Sequence, residues 1–461
     1  MLQPLPFTRS RDAVETAVTI SSTRTPWYRA VDKSQWRALV AANLGWLFDG
    51  YETYALILTL GIALHQLLDP SQFARIPVYA GGVIAITLLG WGIGGILGGV
   101  LADYIGRRRM MIYAMIGYSV LTGLTALSWS WVSFALLRFL VGIAIGSEWG
   151  TGTAMVAELW PNGTRGKGAG LMQCGLGIGF FLASAIWLFV SPMGHMAWRY
   201  MYLLGIVPAI VTLWIRRRVP ESGLWEASNE HRTRAIARAS RGERLDDSER
   251  HLTRFTLAEL FADPKVRRNT LIGLVMSGTT TLAWWGISTW VPPYIGSLAA
   301  KNGLSAPQWA SFAGMVYNVG AVAGYIGLGF LADRFGRKPV TLTYFIVSLI
   351  LTPVLFLWTH NLIALLIVTL VNGFFTLGQY SWMPTWLPEL YPTRMRATGI
   401  AFSFNIPRFV AFLGPLVAGT LIAHFGGYGK AATIVGMIYI LGIVATPFMT
   451  ETHGKLMEDD G

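Results

Sequence analysis

The chain has 461 residues, of which 53% are apolar and only 13% charged, with 52 Gly, 19 Trp and one cysteine, Cys174. A soluble chain of this size carries roughly a quarter charged residues, so the composition excludes a soluble multidomain, disordered or fibrous protein; a lone cysteine builds neither a disulfide framework nor a thiolate metal cage. The net charge of +12 raises nucleic acid as a partner, and the placement of the charges removes it.

A polar stretch, 1–36, opens the chain with Arg9, Arg11, Arg24, Arg29 and Lys33. It lacks the short apolar core and small-residue cleavage site of a signal peptide. About 20 apolar residues cross ~30 Å of hydrocarbon as a helix. On that measure the sequence predicts twelve crossings, at 38–64, 78–101, 110–130, 132–158, 169–191, 198–215, 269–297, 310–332, 339–359, 361–388, 397–424 and 430–448. The charged stretch 216–268, too short to form a further domain, parts them into two sets of six, 37–215 and 269–448, and 449–461 is a polar tail. With the amino terminus inside, 30 of the 36 Lys and Arg fall in tails and loops on the inner side. Four (Arg75, Arg199, Lys301, Lys430) fall outside, and Arg138 and Arg408 fall within helices. By the positive-inside rule both termini are cytoplasmic, and the high charge reports topology instead of nucleic-acid binding.

The loop after the second crossing, Gly99-Val-Leu-Ala-Asp103-Tyr-Ile-Gly106-Arg107-Arg108, returns 230 residues later as Gly329-Phe-Leu-Ala-Asp333-Arg-Phe-Gly336-Arg337-Lys338. A second pair, Glu158-Leu-Trp-Pro161 with Arg165 and Glu389-Leu-Tyr-Pro392 with Arg394 and Arg396, is displaced by 231. Two six-helix halves carrying the same loops make a duplicated bundle. The doubled loop resembles the signature of the major facilitator superfamily, over essentially all twelve crossings. Arg138-Phe-Leu-Val-Gly142-Ile-Ala-Ile-Gly146, Pro220-Glu221-Ser222 and Glu451-Thr452-His453-Gly454-Lys455 are similar to further motifs of that superfamily, the last two to tail motifs of its sugar-porter and organic-acid branches. Phe48-Asp49-Gly50-Tyr51-Glu52 resembles an element of its aromatic-acid and sialate proton symporters. The fold implied is an all-α membrane protein, with twelve transmembrane helices in two pseudo-symmetric six-helix bundles.

The repeated loops predict a latch. Asp103 and Asp333 end helices with cationic neighbours, and Arg107, Arg337, Arg165, Arg394 and Arg396 are expected to face Glu158 and Glu389, joining the halves when the inner side is shut. Gly99, Gly106, Gly329 and Gly336 let the chain turn tightly.

Charges inside the membrane are costly, ~3 kcal/mol even on lenient scales, and so point to function. Asp49 and Glu52, three apart, share a face of the first helix; helix four carries Arg138 and Glu148, and counting residues puts Glu52 and Arg138 at similar depth. The repeat offset sets Arg138 against Thr369 and Glu148 against Gln379, so the carboxylates belong to the first half alone. This asymmetry assigns proton coupling to Asp49, Glu52, Arg138 and Glu148. Arg408, in the second half, offers a planar fork for a carboxylate. Gln379, Asn372, Tyr380, Trp284, Trp285 and Tyr51 are the further candidates for the substrate site, while Trp290 and Trp386 read as anchors or packing. His65, His195, His360 and His424 fall near outer loops, and no metal or cofactor motif is visible.

The function expected is import of a small organic anion by proton symport with alternating access, by a monomer in the cell membrane (the inner membrane if bacterial), with the lipid bilayer and protons as its other partners. The competing readings are a proton-coupled importer of a sugar or other neutral metabolite and, less favoured, a drug/proton antiporter. The resemblance to the antiporters fails at helix five, Gly175-Leu-Gly-Ile-Gly179, which has no proline before Pro192. No nucleophile–base spacing suggests an enzyme.

Overall fold

The computed structural model describes residues 26–458; Arg9, Arg11 and Arg24, with the rest of 1–25, and residues 459–461 lie outside the described residues. Ten helical runs among the described residues are long and apolar enough to cross a membrane. One of them, Arg165–Val211, is broken by the turn Ser191–Met196, where Gly194 takes φ 77°, and therefore holds two crossings. Arg107–Thr125, whose three leading arginines dilute its hydropathy, is a further helix of 19 residues and brings the crossings to twelve.

The twelve helices are α1 (Lys33–Leu67), α2 (Ile76–Ile105), α3 (Arg107–Thr125), α4 (Trp131–Leu159), α5 (Arg165–Val190) and α6 (Ala197–Leu204, then Pro208–Arg218) in the first half. The second half has α7 (Pro264–Gly286, then Val291–Lys301), α8 (Ala306–Phe335), α9 (Arg337–Pro353) and α10 (Leu362–Asn372, continuing irregularly to Leu390). It ends with α11 (Arg396–Asn405, then Arg408–Ala411 and Leu413–His424) and α12 (Tyr428–Gly436, then Tyr439–Ala445). Helix α1 starts earlier than its hydropathy predicts because Asp32 caps it. Asp32 Oδ1 accepts from the Ser34 and Gln35 N–H groups at 2.7 and 2.9 Å, and the Gln35 side chain accepts from Asp32 N–H.

Packing repeats between the halves: α2 lies along α4 as α8 lies along α10. The halves meet along two seams, α2 with α11 and α5 with α8. Both seams run toward the face that holds the repeated loops, here called the basic face. Glycine makes the close approach possible: a Cβ at Gly99 would lie 2.3 Å from the Ala401 Cβ, and one at Gly329 would lie 2.1 Å from the Gly166 carbonyl oxygen.

Residues 216–268, expected as a charged loop, are mostly helical. Gly223–Ser240, Asp247–Thr253 and Thr256–Ala262 form three short helices on the basic face, and Asp263 caps α7, accepting from Lys265 and Val266 N–H at 2.7 and 2.9 Å. Their polarity had hidden them, because a helix lying outside the membrane needs only a narrow apolar stripe. Similarly, 449–458 is no free tail; it runs back across the basic face.

Three helices break where chemistry is placed. Helix α7 loses regular geometry at Ile287, ahead of Pro292 and Pro293; α10 contains a π-turn at Gly373–Leu377; α11 stops at Asn405 before Pro407.

A side chain at either glycine of the seams should wedge the halves apart at the basic face without unfolding either bundle. For Gly99→Val and Gly329→Val, overpacking costs about 1–3 kcal/mol. Spin labels at the basic ends of α2 and α11 should report a longer separation, with helical content unchanged.

Candidate functional site

Deep between the halves, Arg408 sits among aromatic rings. Pro407 interrupts α11, and the Phe404 carbonyl oxygen accepts instead from Arg408 Nη1 at 2.6 Å. The guanidinium lies 4.6 Å from the Trp91 ring centroid and 4.0 Å from that of Phe404. It is 2% exposed, with the Tyr380 hydroxyl in hydrogen-bonding range. A chamber of about 20 Å³ beside it is lined by Trp46 and Thr53 of α1, Trp91 of α2, Leu176 and Phe180 of α5, Trp284 and Trp285 of α7, and Tyr380. Phe180 and Trp284 also line a second cavity of about 250 Å³, which extends past Tyr54, Pro292, Tyr317 and Asn318, away from the basic face.

Of the expected substrate residues, Arg408, Tyr380, Trp284 and Trp285 meet at this chamber, whereas Gln379, Asn372 and Tyr51 lie elsewhere. Gln379 Nε2 donates to the Thr376 carbonyl at 3.0 Å and to the Tyr439 hydroxyl at 3.1 Å, inside the second half. The Tyr51 hydroxyl donates to the Met201 carbonyl at 2.9 Å, against α6. Asn372 is fully buried and lines neither cavity. Trp46, Thr53, Trp91 and Phe180 were missed; Trp46, Asp49 and Thr53 follow helical spacing and so share one face of α1, which was the available signal. Trp290 and Trp386 are buried in packing, Trp386 donating to the Thr450 carbonyl at 3.0 Å.

The four membrane charges of the first half form two pairs. Glu52 and Arg138 make a buried ion pair, with the Arg138 guanidinium 5.4 Å from the Tyr202 ring. Asp49 and Glu148 face one another in hydrogen-bonding range, 0% and 1% exposed, and none of their four oxygens has a donor among the described residues. Gly45 makes room for Glu148: a Cβ there would fall 2.1 Å from Glu148 Oε1. A small cavity beside Arg138 shares Thr53, Trp91 and Trp285 with the Arg408 chamber, so these three side chains are the partition between the two sites.

At the basic face the repeated loops interlock. The Asp103 carboxylate, at the end of α2, crosses to α11 and accepts from the Ala397 and Thr398 N–H groups at 3.3 and 2.8 Å. Asp333, at the end of α8, crosses the other way to α5, accepting from Gly166 and Lys167 N–H at 2.9 and 3.0 Å. Each acid therefore caps a helix of the opposite half. Arg107 pairs with Asp103 (3.1 Å) and Glu158 (2.9 Å), and Arg396 of the second half reaches Glu158 at 3.0 Å. Arg337 repeats this with Asp333 (3.1 Å) and Glu389 (2.7 Å). Gly106 and Gly336, at φ 104° and 98°, make the turns that set these arginines.

Two of the expected latch residues differ. Arg394 lies 3.8 Å from Glu259 of the connector, away from Glu389, because residues 393–395 form a separate turn ahead of α11. Arg165 bonds directly to carbonyls, Ala157 at 2.6 Å and Gly454, tying the C-terminal segment to the first half, while the expected Glu389 carboxylate acts on its charge from across the seam. The motifs after α6 and α12 also prove to be a repeated pair. Glu221 accepts from Arg107 and Arg108 N–H (3.0 and 3.1 Å), as Glu451, 230 residues on, accepts from Arg337 and Lys338 N–H (3.0 and 2.8 Å). Partial burial works to raise the Glu451 carboxyl, and the N–H groups of Lys338, Arg337 and His453 outweigh it and hold it below the usual carboxylate range. The spacing of 230 was there in the sequence.

Residues 38–459 match the family described as "Sugar (and other) transporter". The chain is 26% identical to the niacin transporter NiaP of Acinetobacter baylyi over 450 residues, covering 94% of this chain and 97% of that one. It is 27% identical to the sialic acid transporter NanX of Escherichia coli over 422 residues, covering 90% and 94%. Among solved structures, the proton:xylose symporter XylE bound to 6-bromo-6-deoxy-D-glucose aligns with a TM-score of 0.75 at 21% identity, over 92% of this chain and 98% of that chain, a likeness of fold.

The interlocked acids carry a prediction that needs no engineered reporter. Cys174, the only cysteine, is buried on α5 close to Tyr325 of α8, at the seam. Removing the acceptor in Asp333→Ala should weaken the cap by about 1 kcal/mol. Maleimide labelling of Cys174 should then quicken by roughly fivefold to tenfold, with the amount of protein in the membrane unchanged; an unaltered rate would show the seam to be held by packing alone.

Proposed function

The chain belongs to the sugar (and other) transporter family of the major facilitator superfamily, whose members are membrane transporters and not enzymes, and we propose that it imports a small organic anion together with a proton by alternating access. The observation that carries this reading is Arg408 buried in a chamber whose lining includes no Asp, Glu, Asn or Gln side chain. A desolvated guanidinium attracts a carboxylate, and its planar fork matches both oxygens. A polyhydroxylated sugar needs acceptors as well as donors, and this lining supplies few. The relatives named for niacin and sialic acid both handle carboxylic acids, which supports the same class of passenger.

Protons enter through the acid pairs. Two carboxylates in contact offer only acceptors; one proton shared by Asp49 and Glu148 supplies the missing donor and removes a charge from the interior. Glu52–Arg138 fixes a second, neutral pair behind Thr53, Trp91 and Trp285. With the basic face latched and the 250 Å³ cavity on the far side, the passenger approaches from that side and its carboxylate settles on Arg408. Movement of the shared partition as the site fills is what links the two halves' charges. The two bundles then rock as bodies about the connector 216–268, the latch parts, and passenger and proton leave at the basic face. In the sequence 30 of the 36 cationic residues belong to tails and loops of one side, the side of the repeated loops, which is read as cytoplasmic with both termini inside.

Purified protein in liposomes, offered a panel of radiolabelled carboxylates and sugars across an imposed pH gradient, tests this. Carboxylates should accumulate only with the outside acidic. Asp49→Asn or Glu148→Gln should abolish accumulation while leaving exchange of labelled for unlabelled passenger, and Arg408→Ala should lose both. Accumulation of a sugar in place of every acid, or accumulation that ignores the gradient, would overturn the proposal.

A further inference from the structure

Three tryptophans of the Arg408 chamber hold hydrogen-bond donors that the protein does not use. Trp46, Trp91 and Trp284 are 1, 5 and 8% exposed, and the indole nitrogen of each has no partner among the described residues; neither has Arg408 Nε. A buried indole N–H ordinarily finds an acceptor, since leaving it unmade forfeits its bond to water. This chain follows that rule elsewhere. Trp149 donates to Gln173 Oε1 at 3.2 Å, Trp198 to Gln66 Oε1 at 2.9 Å, Trp382 to Thr280 Oγ1 at 3.0 Å and Trp386 to the Thr450 carbonyl. The other buried indole without a partner, Trp160, lies at the basic end of α4, remote from the chamber. Three of the tryptophans lining this chamber therefore keep unused indole donors, beside an arginine whose Nε is also unused.

The donors come from separate elements, α1 and α2 in the first half and α7 and α11 in the second. The acceptors near them are few. Of the lining side chains only Thr53 and Tyr380 carry oxygen, and Tyr380 already stands in range of Arg408. We infer that the indole N–H groups of Trp46, Trp91 and Trp284 form, with Arg408, the binding site for the anionic head of the passenger. A carboxylate has two oxygens with about four acceptor positions and no donor, the complement of this set. The inference rests on the organic-anion reading and sharpens it: these three tryptophans set specificity for a charged acceptor over a neutral hydroxyl or amide, by leaving any head that brings its own donors unmatched. Since the donors lie on both halves, a bound head draws α7 and α11 toward α1 and α2. In the present arrangement the chamber is about 20 Å³, so the head enters as Phe180 and Trp284 separate from one another, their ring centroids now 6.1 Å apart.

The test removes the N–H and keeps the ring. Benzothienylalanine, with sulfur in place of the indole nitrogen, is placed at 46, 91 or 284 in the full chain by nonsense suppression. Binding of benzoate, nicotinate, muconate and N-acetylneuraminate, each beside its amide, is measured by calorimetry in detergent. For a carboxylate that binds the unaltered chain, each replacement should raise Kd about tenfold and narrow the preference for acid over amide; the same replacement at Trp198 should change neither. In ¹⁵N-labelled protein the three indole signals should move downfield on binding. Unchanged Kd at all three positions, for an acid whose binding Arg408→Ala abolishes, overturns the inference and leaves the anion reading standing. Failure of every acid to bind the unaltered chain removes both.

Discussion

A carboxylate that crosses from one half to the first turn of a helix in the other is the contact on which the closed basic face depends. Asp103 on α11 and Asp333 on α5 each satisfy N–H groups that a helix start leaves unpaired, and each does so with a full charge near the positive end of the helix dipole. Everything else at that face builds on these two caps. Arg107 and Arg337 neutralise the acids, Glu158 and Glu389 hold the arginines, and Glu221 and Glu451 fix the turns from which the arginines start. Buried ion networks of this sort add little net stability, because desolvation offsets attraction, yet they tolerate little displacement. A face closed in this way is held in one geometry while remaining cheap to open.

The interior has the opposite character. There the charges are few and set in aromatic surroundings, and their separation by Thr53, Trp91 and Trp285 is one side chain thick. Trp91 touches both sides: its ring carries the Arg408 guanidinium, and it also lines the cavity at Arg138. The ring thus stands between the two arginines, one side chain from each.

The helices and their division into two sets of six were legible because hydrocarbon imposes a length and an apolar composition that a single sequence displays. The connector helices 223–262 were not, since helices bathed in water lack that constraint. Buried charge singled out Arg408, the Glu52–Arg138 ion pair and the facing acids Asp49 and Glu148 for the same energetic reason that makes such residues rare. Of the α10 candidates only Tyr380 reaches the chamber, and Gln379 and Asn372 do not. Counting at 3.6 residues per turn assumes an unbroken helix, and the π-turn Gly373–Leu377 with the tight segment Gly378–Ser381 after it rotates the remainder of α10. Tyr380 is thereby brought to the chamber and Gln379 is turned to Tyr439. Tyr51, between Asp49 and Glu52, points about 100° from each of its immediate neighbours and meets α6. Arg394 and Arg396, two apart, likewise belong to different elements, the first reaching Glu259 of the connector and the second Glu158.

The reciprocal caps bear on how such a molecule arose. Each half owns one acid that reaches out and one helix start that receives, so the joint is self-complementary in the manner of a two-fold dimer. Two copies of a single ancestral six-helix unit would have made both contacts before any gene fusion joined them, and a separated half today would carry a stranded carboxylate and a bare helix end. Fusion of two such copies would join an assembly that already fitted and leave each free to change alone, as the acids of the first half and the arginine of the second now differ.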